Sequence, residues 1–139
     1  MRIIESVRNY LLTCPLLNDS RVNIDWLGAE PAEYSIDGSP VNPIVKRYAD
    51  GGTIRQFNFV FSSVEAYGQD VLNNIENSGF YEDFAEWLEK QNKTKILPKM
   101  DNGRKAIGIE ALNTGYLFEN TVDRARYQIQ CRLLYYMDY

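Results

Sequence analysis

The clearest periodic signal in the chain lies near its end, where Tyr127, Ile129, Cys131, Leu133 and Tyr135 alternate with Arg126, Gln128, Gln130 and Arg132. Strict period two marks a strand with one face in a core and the other turned outward. The outward row carries amides and guanidinium groups without a carboxylate, thiol or imidazole, which suits docking better than a reaction. The opposite end of the chain has the other periodicity. Ile3, Ile4, Val7, Tyr10 and Leu11 recur at helical spacing, and Pro15 closes that pattern by disfavouring helix at the residue before it.

Between these two elements the pattern switches several times. Residues 21–27 put Val22, Ile24 and Trp26 on one face of a strand closed by Gly28, and residues 33–36 form a shorter strand before a loop holding Gly38, Pro40 and Pro43. Residues 44–49 and 53–62 flank Asp50-Gly51-Gly52, a turn composition that predicts a long β-hairpin. Its second arm sends Phe57, Phe59 and Phe61 to one face, a row that must be covered to leave water.

Ser62 to Glu65 has capping-box spacing, and Val64, Val71, Leu72 and Ile75 continue at helical period until Asn77-Ser78-Gly79, which predicts a helix ending there. Phe80, Phe84, Trp87 and Leu88 define the stripe of another helix, with Glu82 and Asp83 favouring its first turn. A loop through Pro98 and Asp101-Asn102-Gly103 follows, then an extended stretch from Ile107 to Phe118 and a turn at Asn120 and Asp123. The expectation is one α/β domain of the α+β kind over residues 1–139. It combines a mixed, largely antiparallel sheet and its long hairpin with two to three helices packed against it.

Composition adds bounds. With 139 residues and 45% hydrophobic content, the chain has enough apolar material for a core without staples. Cys14 and Cys131 read as two buried thiols rather than a disulfide. No apolar run reaches the ~20 residues of a membrane span, and Glu5 interrupts the start where a signal peptide needs an apolar block, so the expectation is a cytosolic protein mature from Met1. A net charge of −4 argues against general nucleic-acid binding. One region departs from it: Lys90, Lys93, Lys95, Lys99, Arg104 and Lys105 make a basic segment, either a solvated loop or an electrostatic docking patch.

The chain contains no histidine, which removes Ser-His-Asp and Cys-His nucleophilic systems and the histidine zinc motifs. No glycine-rich phosphate loop is present, since Gly51-Gly52 sits between strands rather than opening a helix. Acid–base candidates reduce to Glu33 and Asp37, or the Glu82, Asp83, Glu86 and Glu89 face of a helix. Tyrosines gather in the last two elements. Of these, Tyr127 and Tyr135 read as core, and Tyr136 and Tyr139 as contact residues, because tyrosine joins an apolar body to a polar tip.

Three stretches, 42–52 (Asn-Pro-Ile-Val-Lys-Arg-Tyr-Ala-Asp-Gly-Gly), 74–88 (from Asn74 to Leu88) and Thr114-Gly-Tyr116 with the closing 125–133, resemble small minor capsid or tail-completion proteins of phages of Gram-positive bacteria. The resemblance implies a tail terminator, a small subunit forming a ring, expected to be a hexamer, that caps the tail tube, stops its growth and presents the joining surface to head or collar. It implies no cofactor or metal. The implied partners are other copies of the chain, the tail tube protein, and sheath, collar or head–tail connector proteins, without membrane or sequence-specific nucleic acid. Location follows: host cytoplasm during assembly, then the head-proximal tail end of a virion or tail-like particle. Under this reading Asp50, Gly51, Gly52, Arg126, Gln128, Gln130, Arg132 and Tyr136 are candidate subunit or tube contacts, and Lys93, Lys95, Lys99, Arg104 and Lys105 a candidate electrostatic docking region. A head-side connector and, more remotely, a small carboxylate-dependent enzyme are the alternatives.

Overall fold

The computed structural model describes residues 1–17, 22–24, 33–66, 71–120 and 124–138. Helix α1 (Ile3–Leu11) leads into a short 3-10 turn at Pro15–Leu17. Among the described residues seven strands and one long helix follow: β1 (Val22–Ile24), β2 (Glu33–Ser39), β3 (Ile44–Arg47), β4 (Thr53–Ala66), α2 (Val71–Thr94), β5 (Arg104–Ala111), β6 (Tyr116–Asn120) and β7 (Arg124–Met137). The class is α+β, and the sheet is mixed but mostly antiparallel, as its patterning predicts.

The organising unit is a ribbon of β4 and β7, paired antiparallel from Thr53↔Met137 to Ala66↔Arg124. Each strand has 14 residues, so the ribbon is roughly 46 Å long at about 3.3 Å per residue. Two short strands line each side of it. β2 and β3 pair with β4, and β5 and β6 pair with β7, while β1 adds parallel to β2 at the margin. Register shifts at β3, β5 and β6 fall at Val45, Ile107 and Phe118, and all three apolar side chains are exposed. Such bulges re-aim a side chain and interrupt a sheet edge.

One face of the ribbon is covered. Phe59, Phe61, Ile129, Cys131 and Leu133 are fully buried, and Tyr127 and Tyr135 nearly so, beneath Tyr81, Phe84 and Leu88 of α2 and Val7 and Leu11 of α1. Phe61 and Phe84 stack at 4.7 Å between ring centroids, and Phe61 also lies 5.5 Å from Tyr34. The aromatic row is roofed by helices, as its apolarity requires, with Phe57 only partly buried at its end. Cys14 and Cys131 are both buried free thiols, and burial pushes each thiol pKa up.

Several expectations give way. Ser62 to Glu65 does not cap a helix but continues β4, because Ser63 and Ser62 pair with Tyr127 and Gln128 of β7. The two expected helices are one, running through Asn77, Ser78 and Gly79. There the packing of Tyr81, Phe84 and Leu88 overrides the weak local propensity of a single glycine. Ile75, expected on the apolar stripe, is 59% exposed. The hairpin is real but lopsided, since its first arm spans only Ile44–Arg47, and β2 reaches Ser39, so Gly38 is strand rather than loop. The stretch from 107 to 118 divides into β5 and β6, with Gly115 held against the Cβ of Tyr81. Trp26, Gly28, Asp123 and Tyr139 fall outside the described residues.

Candidate functional site

The outward row of β7 lies on the face of the ribbon opposite the helices, and its polar side chains are tied to one another across strands. Arg126 reaches Asp37 of β2 at 3.4 Å and lies over the Phe118 ring at 5.2 Å from its centre. The Gln128 side-chain amide donates to the Tyr116 hydroxyl at 2.6 Å. Arg132 donates through Nε to Glu110 Oε1 at 2.9 Å, with Nη2 on the same oxygen, and through Nη1 to Gln56 Oε1 at 3.5 Å. Gln130 holds the turn after β5 by its backbone: its N–H donates to Asn113 Oδ1 and its carbonyl accepts from the Leu112 N–H. Gln130 is also the most open member of the row, whereas Gln128 is buried.

The arginines are therefore already engaged within the chain. What they present outward is a fixed polar surface rather than two unpaired cations. Asn58 Oδ1, Ser62 Oγ and Arg126 Nε are shut from solvent, and among the described residues none has a hydrogen-bond partner. Each lies on β4 or β7 in the same outward register, Asn58 opposite Arg132 and Ser62 opposite Gln128.

Asp50, Gly51 and Gly52 form the tip of the β3–β4 hairpin, closed by the Tyr48 N–H on the Gly52 carbonyl at 2.8 Å and the Gly52 N–H on Asp50 Oδ1 at 2.9 Å. Gly51 has φ +95°, a conformation glycine adopts without steric cost. Tyr136 comes to this tip: a Cβ on Gly52 would sit 2.1 Å from its hydroxyl, and its ring is 6.3 Å from that of Tyr48. Lys105 is the β5 partner of Tyr136, which brings the start of that strand to the same end. Arg126 is ten positions from Tyr136 along β7, roughly 33 Å away. The candidate contacts thus divide into a tip group and a row running away from it.

The basic segment is not one loop. Lys90 and Lys93 belong to α2, where Lys93 pairs with Glu89 at 3.3 Å, and Arg104 and Lys105 begin β5. Arg104 is held by Asp101 at 3.5 Å and by the Met1 carbonyl. Lys95, Lys99, Arg104 and Lys105 nevertheless rim one open cleft whose floor includes Leu97, Met100 and Ile107. A neighbouring apolar cleft between α1 and the end of α2 is lined by Tyr10, Trp87 and Ile96 among others.

Of the acid–base candidates, Asp37 is taken up by Arg126 and the Ser35 hydroxyl, and Glu82, Asp83, Glu86 and Glu89 stand in solvent on α2. The Glu33 side chain falls outside the described residues. Among the described residues no group of three or more His, Cys, Asp or Glu is placed to hold a metal ion, and no helix is long and apolar enough to cross a membrane. Period-two reading located the row but not its partners Asp37, Gln56, Glu110 and Tyr116, which come from four other strands. The visible signal was the run Tyr116-Leu117-Phe118, apolar on both faces of a strand. No known family model matches the chain, and no curated protein matches it significantly.

Proposed function

We propose that the chain is a structural subunit of a phage or phage-tail-like particle, a tail terminator that assembles as a ring, taken as a hexamer, on the end of the tail tube. The observation that carries this reading is the polar face of the β4–β7 ribbon turned away from the helices. Its polar side chains are prearranged by cross-strand bonds, and Gln130 stands exposed among them. A rigid polar surface suits a partner that adds a complementary layer, because little side-chain ordering remains to be lost on docking. The resemblance of stretches 42–52, 74–88, 114–116 and 125–133 supplies the identity of that partner, the end of a tail tube.

The arginine pairs change how the reading is tested. Replacing Arg126 and Arg132 by glutamate would place new carboxylates against Asp37 and Glu110, so loss of function would report a damaged face as readily as a lost contact. Gln130 is the exposed member with only its backbone engaged. The primary test mixes purified protein with tail tubes, measures the mass of the bound species and images the tubes. Rings of six subunits on one end are expected, and Gln130→Glu should weaken capping while its melting temperature matches the parent. A protein that ignores tube ends but binds portal or head components would replace this reading with the head-side connector.

A further inference from the structure

We infer that the basic cleft beside the end of α2 receives the acidic outer ridge of α2 from a second copy of this chain. The inference rests on the ring reading for the closure of the assembly, while the complementarity itself comes from the two surfaces. Lys95, Lys99 and Lys105 rim the cleft, and among the described residues none has an ion-pair partner, unlike Arg104. Its floor is apolar, and Ile107 is bulged out of β5 and 41% exposed within it. The ridge offers the converse. Glu82, Asp83 and Glu86 are exposed on α2 without an ion pair among the described residues, and Ile75, exposed on the same helix, stands two turns before them.

On a helix with 3.6 residues per turn, positions 75, 82 and 86 fall along one stripe, with Ile75 about 10 Å and Glu86 about 6 Å from Glu82. An apolar knob beside a line of carboxylates matches a cleft with an apolar floor and an ammonium rim. A single copy cannot satisfy both, because the ridge lies in the middle of the helix whose last turn leads into the cleft. The contact is therefore heterologous, ridge of one copy into cleft of the next, the kind that generates rings when its rotation closes.

The experiment uses two reversed proteins: one carrying Lys99→Glu and Lys105→Glu, the other Glu82→Lys and Glu86→Lys. Each should keep the parental melting temperature and far-ultraviolet spectrum, since these side chains make no ion pair among the described residues. Sedimentation of the parent should show self-association that weakens with salt, and each variant alone should associate about tenfold or more less tightly. An equimolar mixture should recover, because the acidic ridge of the first fits the basic cleft of the second and the reverse. Variants that associate like the parent, or a mixture that does not recover, would overturn the inference. A parent that stays monomeric both alone and on tube ends would do the same. Rings on tube ends with both variants would leave the terminator reading standing without this contact, whereas mixture recovery without any tube capping would leave the contact standing without the terminator.

Discussion

The two faces of the β4–β7 ribbon are made from the same two strands and ask different things of their side chains. On the face toward the helices, Phe59, Phe61, Ile129 and Leu133 have no solvent exposure and gain by leaving water, with little demand on direction. On the other face Arg126, Gln128 and Arg132 depend on directed bonds to Asp37, Tyr116 and Glu110, partners set by strand order rather than by neighbours in sequence. The first face resists through redundancy. The second is specific, shallow in energy, and available to a partner.

Removing one side chain from the covered face should produce the largest loss. Phe61→Ala deletes a fully buried ring stacked on Tyr34 and Phe84, and such truncations cost about 3–5 kcal/mol. Chemical denaturation should show this as a lower midpoint with an unchanged slope. A loss below that of an ordinary surface substitution would mean that the helices do not close over the sheet as described.

A directed bond inside the covered face should matter next most. The Tyr81 hydroxyl lies 2.6 Å from Ser63 Oγ and donates to the Tyr127 carbonyl at 3.1 Å, tying α2 to both strands of the ribbon. Tyr81→Phe removes both bonds from a buried site, at about 1–3 kcal/mol. If the polar bond is incidental to packing, the variant will denature with the parent.

The helix roofing this face has a weak point that can be repaired. Gly79 is interior to α2, and a Cβ there would meet nothing within 4 Å. Gly79→Ala should therefore raise stability by about 0.5–1 kcal/mol. A decrease would indicate that the backbone at 77–79 is not regular helix. The open face should yield the smallest change on truncation. Arg132→Met removes a partly exposed pair and lets Glu110 rehydrate, costing about 1 kcal/mol or less. A loss as large as that of Phe61→Ala would erase the distinction between the faces.

What could be read from sequence follows the same division. The alternation of β7, the Phe row of β4 and the stripe of Phe84, Trp87 and Leu88 are local periodicities, and each points to the covered face. Ser62 to Glu65 and Asn77 to Gly79 misled because capping spacing and a helix stop are local preferences, overridden here by pairing to β7 and by packing against the sheet. For the candidate site, the row itself was legible, and the Asp50-Gly51-Gly52 turn with it. That Asp37 and Glu110 neutralise the arginines was not, since those residues come from β2 and β5 and meet β7 only once the strand order is known.

The comparison sharpens further at a carboxylate placed on the wrong side. Asp37 and Glu110 face the open surface beside arginines, but Glu65 shares the covered register with Phe61 and Ser63 and lies near Tyr34 and Tyr81. Burial raises its pKa from the ordinary value of 4.5, and a hydrogen bond with Ser63 pulls it partly back. Because the folded value lies above the unfolded one, the native state holds this proton more tightly. The resulting stability is fully present below pH 4.5 and is lost as the pH rises through the raised native value. At neutral pH the partly buried carboxyl therefore weakens the fold. Glu65→Gln should melt higher than the parent at pH 7, and the gap should close as both are acidified toward pH 4.5. The neighbouring tyrosines do not intrude in this window, since burial pushes Tyr34 up to about 12 and Tyr81 up as well. The measured quantity is the difference between the two proteins at each pH, so ionisations common to both cancel. A constant difference across the range would mean that Glu65 titrates in the folded chain as it does in the unfolded one, and that the covered face is wet where β4 ends.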